Sequence, residues 1–548
     1  MVRSGKLAEQ ILKMIETLNQ AACQLHGIIA NEKADCNEFI QLMIEMLSKM
    51  VSPLQHLSSE EPALMAQLMC KNVASSLINI MALKETDSKK ACKKIEFELL
   101  PLINELYVDL YFWGFCYPDK KKMWDYYHND MFQLCPLPYV ENAEKNETYP
   151  YEVSIVVIAY NKLDYTKKCL EYLKKYFPDH ISHELILVNN GSNDGTKEYF
   201  ESIHPDKQID IRYNTKCFAA VSRIIEGRYI LFVSNDILIT PHAVENMLAC
   251  IRSDESIGCV VPSCPNIANL QTIPSKYSNL EELIVFAERN NKSDPCRWEQ
   301  RTRLNSPVLL ARSNTKGVYA FFGYLYPFFP ERFLAFTDDL MSLLLRRNGL
   351  KCILAKDAYV HHFGSITIHD EKKQQIYIDG RREFERTFGI DPWGTGFCFD
   401  PTLMDALSPE NIEPVNVLGV NCGIGSNPLK IKEILLEKRR NQQVQVYNIS
   451  DKVRYRKDLE GVSDLFQPIE NWNQIENVFP GTPFSYVILE DVDQRKDAFK
   501  IIGKLFAHLS VGGKMAVKSD NMVFQNSLKG LYKKNQAIKS WVIVEKDC

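Results

Sequence analysis

Two apolar runs of the chain are each followed by polar residues whose side chains could bind a ligand. Asn235 and Asp236 follow the apolar run Tyr229–Ser234, and Asn189–Ser192 follows the apolar run Glu184–Val188. A carboxylate in such a place can supply an oxygen ligand to a hard cation, and an amide can bind a small molecule by hydrogen bonds. The alternative is that Asp236 is only a polar loop residue or a helix cap. The pattern predicts a polar ligand site at these two positions.

A second candidate feature is the acidic pair Asp338 and Asp339. A positioned carboxylate can act as a general base, because it takes the proton of a hydroxyl group and makes its oxygen a nucleophile. One aspartate is enough for this role, and the sequence leaves open which of the two it is. The alternative is that the pair caps the helix predicted over residues 340–347.

The third candidate feature is the pair His361 and His362, which follows an apolar, strand-like segment. A neutral imidazole can bind a manganese ion, and a protonated one can stabilise a phosphate group. The alternative is that both rings only pack against the protein.

The surrounding sequence has the periodicity of an α/β unit. Residues 153–158 form an apolar run, Leu163–Tyr176 has the pattern of a helix, and a second apolar run covers Glu184–Val188. This order of strand, helix and strand predicts a parallel sheet. Ligands of such sheets bind at the carboxyl ends of the strands, which is where the polar residues lie.

Different patterns flank this unit. Leu7, Ile11, Ile15 and Leu18 recur at spacings of three and four, and similar stripes continue to about residue 140, which predicts a helical bundle. Residues 141–148 are polar and form a predicted linker. After about residue 410, a strand at 415–420, a glycine-rich turn and a helix from 429 predict another α/β module. We therefore predict domains over residues 1–148, 149–405 and 406–548.

Composition narrows the class of protein. The chain has 548 residues, of which 45% are hydrophobic and 24% charged, so a disordered or fibrous protein is excluded. Its net charge of −4 does not favour nucleic-acid binding. The 16 cysteines are scattered without metal-site spacing, which fits a reducing compartment. Because neither a signal peptide nor a membrane span is visible, we expect a soluble, cytoplasmic protein.

The central module resembles the family 2 glycosyltransferases of the GT-A fold over roughly residues 150–370. Four blocks carry the resemblance in the family's order, and together they are more specific than any one of them. They are 153–161 (VSIVVIAYN), 187–196 (LVNNGSNDGT), 227–236 (GRYILFVSND) and 329–362, which contains FPERFLAFTDD and ends in AYVHH.

The resemblance implies a site for a nucleotide-diphosphate sugar, with a UDP-sugar expected, and a Mn²⁺ or Mg²⁺ ion beside the diphosphate. Asp236 and His362 would hold the metal ion. Asp338 or Asp339 would be the base of an inverting reaction, and Asp338 matches the family's catalytic position best. The residues expected to bind the nucleotide sugar are Ala159, Tyr160, Asn161, Asn189, Asn190, Asp194, Asn235 and Asp236.

The sequence departs from the family pattern in two places. Asn189 stands where the family commonly has an aspartate that contacts the base, so the base preference stays open. Residues 214–223 lack the family's customary glycine after Asn214 and are shortened before Gly227. A different donor geometry is therefore expected.

The C-terminal module resembles class I methyltransferases, in a degenerate form. Residues 417–425 resemble the loop for S-adenosylmethionine, 484–491 the fourth strand, and 509–514 the turn before the fifth strand. The acidic residue expected after the second strand is replaced by Ser450, with Asp451 one position later. Three interpretations stay open: an active methyltransferase, a ligand-binding remnant, and a purely structural or dimerising domain.

The expected fold is a multidomain α/β protein with an N-terminal helical domain, a central GT-A Rossmann-like domain and a C-terminal Rossmann-like, methyltransferase-like domain. The expected activity is transfer of a hexosyl or N-acetylhexosaminyl group to a hydroxyl of a protein or glycan acceptor. The combination resembles bacterial enzymes of surface-glycan or flagellin glycosylation. The alternatives are a methyltransferase that works with the glycosyltransferase domain and a non-catalytic scaffold. A homo-oligomer formed through the helical or C-terminal domain is a further expectation.

Overall fold

The structure is a computed structural model. It describes residues 2–31, 36–54, 60–116, 119, 122, 149–215, 218–313, 336–364, 370–394, 397–409, 415–439 and 443–547. The predicted linker at 141–148 and residues 329–335 of the fourth block lie outside these ranges. The chain is a multidomain α/β protein that divides into two compact units. Unit 1 comprises Met1–Val244, Pro307–Leu334 and Val360–Ile376, and unit 2 comprises Glu245–Ser306, Ala335–Tyr359 and Tyr377–Cys548.

The α-helices of the described ranges are numbered along the chain: α1 (Val2–Ala30), α2 (Asn37–Leu54), α3 (Glu60–Leu83), α4 (Ser88–Lys94), α5 (Leu100–Tyr111), α6 (Leu163–Tyr176), α7 (Thr196–Ile203), α8 (Phe218–Ile224), α9 (Ala243–Ser253), α10 (Leu280–Asn290), α11 (Thr337–Arg347), α12 (Asp370–Phe388), α13 (Pro401–Leu407), α14 (Ser426–Arg439), α15 (Arg456–Glu460), α16 (Ala498–Ala507) and α17 (Met522–Leu531). None of these helices is long and apolar enough to span a membrane.

The strands of the same ranges are β1 (Tyr151–Ala159), β2 (His183–Asn190), β3 (Lys207–Ile211), β4 (Gly227–Ser234), β5 (Ile237–Leu238), β6 (Ile257–Ser263), β7 (Trp298–Arg301), β8 (Val308–Arg312), β9 (Lys351–Tyr359), β10 (His361–His362), β11 (Asn416–Val420), β12 (Gln445–Ser450), β13 (Leu465–Pro468), β14 (Phe484–Leu489), β15 (Leu509–Lys518), β16 (Asn535–Ile538) and β17 (Trp541–Glu545).

The apolar stripe at the start of the chain is buried, as its spacing predicts. Ile11, Ile15, Leu18 and Leu25 lie along α1 with almost no exposed surface. Residues three and four apart share one face of a helix, and this face packs against α2 and α5. The predicted helices are confirmed for the described part of residues 2–116.

Unit 1 contains the predicted parallel sheet. Its strands lie in the order β3-β2-β1-β4-β8, and β8 is antiparallel to β4. β1 pairs in parallel with both β2 and β4. Strand β1 is buried through most of its length, which explains why its sequence is a continuous apolar run rather than an alternating one.

Unit 2 contains two groups of strands. β6 pairs in parallel with β9, and β7 pairs with β9 in the antiparallel sense. The C-terminal strands form a seven-stranded Rossmann-like sheet in the order β13-β12-β11-β14-β15-β17-β16, parallel except for β17, which is antiparallel to both of its neighbours. The second α/β module predicted from the sequence is therefore present as a fold.

A buried network of charges joins β7 to α14 within unit 2. Glu299 forms ion pairs with Arg301 at 2.6 Å, Lys430 at 2.6 Å and Lys356 at 3.2 Å. Glu433 lies in the same region, and burial together with the nearby Glu299 carboxylate raises its pKa to about 7 from the ordinary value of 4.5. Glu433 thus keeps its proton in the folded protein at pH values where an unfolded chain releases it.

This raised pKa predicts a pH dependence of stability. A carboxyl group whose pKa is raised by folding favours the folded state less as the pH increases, here between about 4.5 and about 7. We expect Glu433→Gln to match the wild type at pH 4.5 and to be more stable by up to about 3 kcal/mol at pH 8. Urea denaturation at the two pH values measures this difference. Equal stabilities at pH 8 would show that folding does not raise the pKa of Glu433.

Candidate functional site

The parallel pairing of β1 with β2 and β4 brings three strand ends to one edge of the sheet. Ala159 pairs with Asn189, and Ile158 pairs with Ser234. Because the strands are parallel and in register, the segments that follow them are neighbours. Three separate blocks of predicted nucleotide-binding residues therefore meet at this edge of unit 1.

The loops after β1 and β2 are hydrogen-bonded to each other. The backbone N–H of Asn161 donates to Ser192 Oγ at 2.9 Å, and the backbone N–H of Asn193 donates to Asn161 Oδ1 at 3.0 Å. Asn161 has a φ of 57°, in the left-handed region that asparagine tolerates better than most residues. The two loops thus form one preorganised structure, which we call the double loop (residues 159–162 and 189–196).

Two of the predicted nucleotide contacts shape this double loop. Asn189 is buried, and its Oδ1 accepts a hydrogen bond from the backbone N–H of Ser192 at 3.1 Å. Asp194 accepts hydrogen bonds from the Thr196 hydroxyl at 2.6 Å and from the Leu163 N–H at 2.9 Å. Burial acts to raise the pKa of Asp194, but these hydrogen bonds outweigh it and lower the pKa. Both side chains therefore form hydrogen bonds with other groups of the protein.

Tyr160 differs from these residues because it is 41% exposed. An exposed aromatic face on a rigid loop offers a surface on which a flat base can stack. Among the predicted nucleotide residues, Tyr160 is therefore well suited to direct contact with a base.

Asp236 and His362 come together through a short antiparallel pair of strands. His362 of β10 pairs with Ile237 of β5, and the Phe363 N–H donates to the Asp236 carbonyl oxygen at 3.2 Å. As a result, His362 Nε2 lies 3.3 Å from Asp236 Oδ2. The two metal ligands predicted from distant blocks are thus adjacent in unit 1.

This pair has the donor atoms of a divalent-cation site. A carboxylate oxygen and an imidazole nitrogen suit Mn²⁺, whereas Mg²⁺ prefers oxygen ligands. Within the described ranges, no group of three or more His, Cys, Asp or Glu side chains could hold a metal ion. Among the described residues, a cation bound here would therefore have at most two such side chains as ligands.

The side chain of Asn235 contacts different groups from that of Asp236. Its Nδ2 donates to the carbonyl oxygen of Asn161 at 3.2 Å and to Thr166 Oγ1 at 3.0 Å. It therefore links the end of β4 to the double loop by a hydrogen bond, and its amide group stabilises the position of the loop.

In unit 2, the structure separates the two aspartates of the acidic pair. Asp338 is partly exposed, and it accepts hydrogen bonds from Ser306 Oγ at 2.5 Å and Asn305 Nδ2 at 3.2 Å. Asp339 is only 2% exposed and forms an ion pair with Arg303 at 2.6 Å. Phe336 is the N-cap residue of α11, and both carboxylates lie in its first turn, as the capping alternative expects.

Burial raises the pKa of both carboxyl groups. For Asp338, hydrogen bonds from Ser306 and Asn305 oppose this effect. For Asp339, burial raises the pKa to about 7 although the Arg303 guanidinium opposes it. Asp338 combines access with a raised pKa, which are the two properties that a general base needs.

Sequence reasoning missed Arg303, Asn305 and Ser306. They precede the acidic pair by more than thirty residues and belong to no motif. They contact Asp338 and Asp339 only because the segment after β7 runs beside the start of α11. No signal in the sequence alone points to them.

The glycine-rich turn of the C-terminal module is packed against its own domain. A Cβ atom on Gly425 would lie 2.8 Å from Val462 Cγ2 and 3.2 Å from Leu459 Cδ2. The adjacent Ser426 hydroxyl forms a hydrogen bond of 2.7 Å with Thr302 Oγ1. Because Gly425 has no side chain, Val462 and Leu459 can pack closely against the turn.

Asp451 is likewise engaged within the protein. It accepts hydrogen bonds from Asn421 Nδ2 at 3.1 Å and from Trp472 Nε1 at 3.1 Å. The Ser450 hydroxyl donates to Asn421 Oδ1 at 2.9 Å. The positions that the resemblance assigns to S-adenosylmethionine are therefore linked to one another.

The central part of the chain is similar in sequence to known glycosyltransferases. Residues 154–299 match the family model "Glycosyl transferase family 2". The protein named "Putative glycosyltransferase EpsH" from Bacillus subtilis (strain 168) is 34% identical over 106 residues, which are 18% of this chain and 29% of that protein. The chain therefore spans less than a third of the length of this curated relative. The family match includes the double loop and Asp236, and it ends before Asp338 and His362.

Two solved structures show partial similarity to the chain. GalNAc-T7, crystallised with UDP, GalNAc and Mn²⁺, is 12% identical with a TM-score of 0.33, over 62% of this chain and 60% of that chain. TarS of S. aureus is 17% identical with a TM-score of 0.28, over 42% of this chain and 43% of that chain.

Proposed function

Because the chain carries a family 2 glycosyltransferase domain, we propose that it is a metal-dependent, inverting glycosyltransferase that uses a UDP-sugar and glycosylates a hydroxyl group of a protein or glycan. The observation that carries the proposal is the 3.3 Å approach of Asp236 and His362 beside the double loop. These groups come from separate blocks of the sequence, and the pairing of β10 with β5 brings His362 to Asp236 just after the carboxyl end of β4, where ligands of parallel sheets bind.

In this proposal, the double loop binds the nucleoside and Tyr160 stacks on the base. Asp236 and His362 would hold a Mn²⁺ ion beside the diphosphate. When bound, such an ion neutralises the negative charge that develops on the leaving diphosphate.

Asp338 is the proposed base, and Asp339 is not. Asp338 takes the proton of the acceptor hydroxyl, whose oxygen attacks the anomeric carbon while UDP leaves from the opposite side, which inverts the configuration. Ser306 and Asn305 orient its carboxylate through the hydrogen bonds described above. Asp339, paired with Arg303, stabilises the start of α11.

The proposal is tested by donor hydrolysis, in which water replaces the acceptor. We expect the wild type to release UDP from at least one UDP-sugar when Mn²⁺ is present. Asp236→Asn should reduce this rate at least about a hundredfold, because the carboxylate ligand is lost. Asp254→Asn, which removes a surface ion pair with Lys351, is the matched control and should retain activity. Equal rates for both variants would contradict the role of Asp236.

For the C-terminal module, we propose a structural role. The packing of Val462 on Gly425 and the bonds of Asp451 to Asn421 and Trp472 support this interpretation, because these groups already have partners within the protein. A calorimetric titration that detects S-adenosylmethionine binding would favour the methyltransferase alternative instead.

A further inference from the structure

We propose that Asn72, on helix α3 of the N-terminal helical region, is a positioning residue for the donor nucleotide. The inference rests on the proposed function of the double loop. Asn72 is 2% exposed, and its side chain leaves its own helix to bind the segment after β3. Its Oδ1 accepts from the backbone N–H of Tyr213 at 2.9 Å, and its Nδ2 donates to the Tyr213 carbonyl oxygen at 3.2 Å and to Thr215 Oγ1 at 3.0 Å.

The segment that Asn72 holds lies directly against the double loop. The backbone N–H of Thr215 donates to Asn190 Oδ1 at 3.2 Å. A Cβ atom on Gly191 would lie only 2.6 Å from the backbone nitrogen of Asn214, and Gly191 has a φ of +83°. Residues 213–215 therefore pack on the turn between two predicted nucleotide contacts, Asn190 and Asp194.

The hydrogen bonds of Asn72 are hard to replace. A side-chain amide can satisfy a backbone N–H and a backbone carbonyl of the same residue at once, as an adjacent β-strand would. Asn72 is buried and Tyr213 is partly buried, so a substitution that loses these bonds leaves the Tyr213 backbone groups without their protein partner, which is costly. Asn72 thus contributes to the position of residues 213–215, which in turn contact Asn190 and Gly191.

Asn72 is not the only attachment of the helical region to the sheet. Glu98 accepts from the Asp210 N–H at 2.9 Å, and Glu105 accepts from the Ala220 N–H at 2.8 Å. Both glutamates are buried. A change at Asn72 should therefore leave the helical region attached and act on the loop that it holds.

The segment held by Asn72 is also the one that departs from the family pattern, where the glycine after Asn214 is missing. The residue that holds it lies outside the matched range 154–299. We infer that the helical region supplies to the donor site a restraint that the central domain does not contain by itself.

The test compares Asn72→Asp with Asn79→Asp, which makes the same change two turns further along α3 at a partly exposed position. In Asn72→Asp, a carboxylate can still accept from Tyr213 N–H, but it cannot donate to the Tyr213 carbonyl. We expect the dissociation constant of UDP in the presence of Mn²⁺, and the KM for a UDP-sugar, to rise about tenfold or more, consistent with a lost buried hydrogen bond. The kcat should stay within about threefold, because the reacting groups are untouched. Asn79→Asp should change neither value.

The outcomes separate this inference from the proposed function. If Asn72→Asp melts like the wild type and binds UDP equally well, the positioning role is wrong while the proposed function stands. If the wild type binds no UDP, the proposed function fails and the inference fails with it. If Asn72→Asp does not fold, Thr215→Val decides, because it removes the Thr215 hydroxyl that Asn72 binds. Unchanged UDP affinity in Thr215→Val would overturn the inference, and weakened affinity would support it.

Discussion

Replacing Asp338 by asparagine is expected to reduce sugar transfer and donor hydrolysis about 10²- to 10⁴-fold, the usual contribution of a general base. Asparagine has nearly the same shape as aspartate and can still accept a hydrogen bond from Ser306, but it cannot take a proton. The binding of UDP should therefore be unchanged, and the loss should appear in kcat. Steady-state kinetics of UDP release, together with calorimetric titration of UDP, measure both quantities.

Asp339→Asn is the matched control for this experiment. Asp339 is the next residue of α11, but it is buried and paired with Arg303, so its replacement should lower stability more than the turnover of the folded enzyme. If Asp339→Asn abolishes turnover in a folded protein while Asp338→Asn retains it, the roles of the two residues are reversed.

The largest expected effect on stability is that of Asp458→Ala. Asp458 of α15 is fully buried and binds both arginines at the end of α11. Its Oδ1 accepts from Arg346 Nε at 2.9 Å, and its Oδ2 accepts from Arg347 Nε at 3.0 Å. Arg346 also donates to the Thr302 carbonyl, in the segment that leads to Ser306. Asp458 therefore joins the C-terminal module to the helix that carries Asp338.

Removing this carboxylate leaves two largely buried guanidinium groups without their counter-charge. Breaking a buried ion pair in this way costs about 3–5 kcal/mol, and we expect the free energy of unfolding to fall by that amount. Glu460→Ala removes an exposed ion pair with Arg456 on the same helix, and its expected cost is below about 1 kcal/mol. Urea denaturation of the two variants provides the comparison. Similar losses of stability in both would show that Asp458 is not the anchor of α11.

The meeting of three strand ends at the proposed donor site could be predicted from sequence because it depends on periodic patterns. Continuous apolar runs identified β1, β2 and β4, and parallel pairing then requires the polar residues behind them to meet. The proximity of Asp236 and His362 did not follow from any such pattern. It depends on the two-residue pairing of β5 with β10, which is too short to show a period.

The difference between Asp338 and Asp339 could not be predicted either. Consecutive residues on a helix point about 100° apart, so one carboxylate meets Arg303 and the other meets Ser306 only once the segment after β7 is in place. Asn72 illustrates the same limit. In the sequence it is one of several polar residues of α3, and its proposed role depends on contacts with residues more than 140 positions away. Long-range contacts of single side chains leave no local signal.

The measurement that tests the central claim most directly is a calorimetric titration of UDP into the wild type and Asp236→Ala, with and without Mn²⁺. A site built on Asp236 and His362 predicts that the wild type binds UDP more tightly when Mn²⁺ is present and that the variant loses this dependence. GDP and dTDP in the same titration test the base preference. If folded wild-type protein binds none of the three nucleotides, or if it binds UDP with an affinity that neither Mn²⁺ nor the substitution changes, the proposed metal-dependent donor site is contradicted.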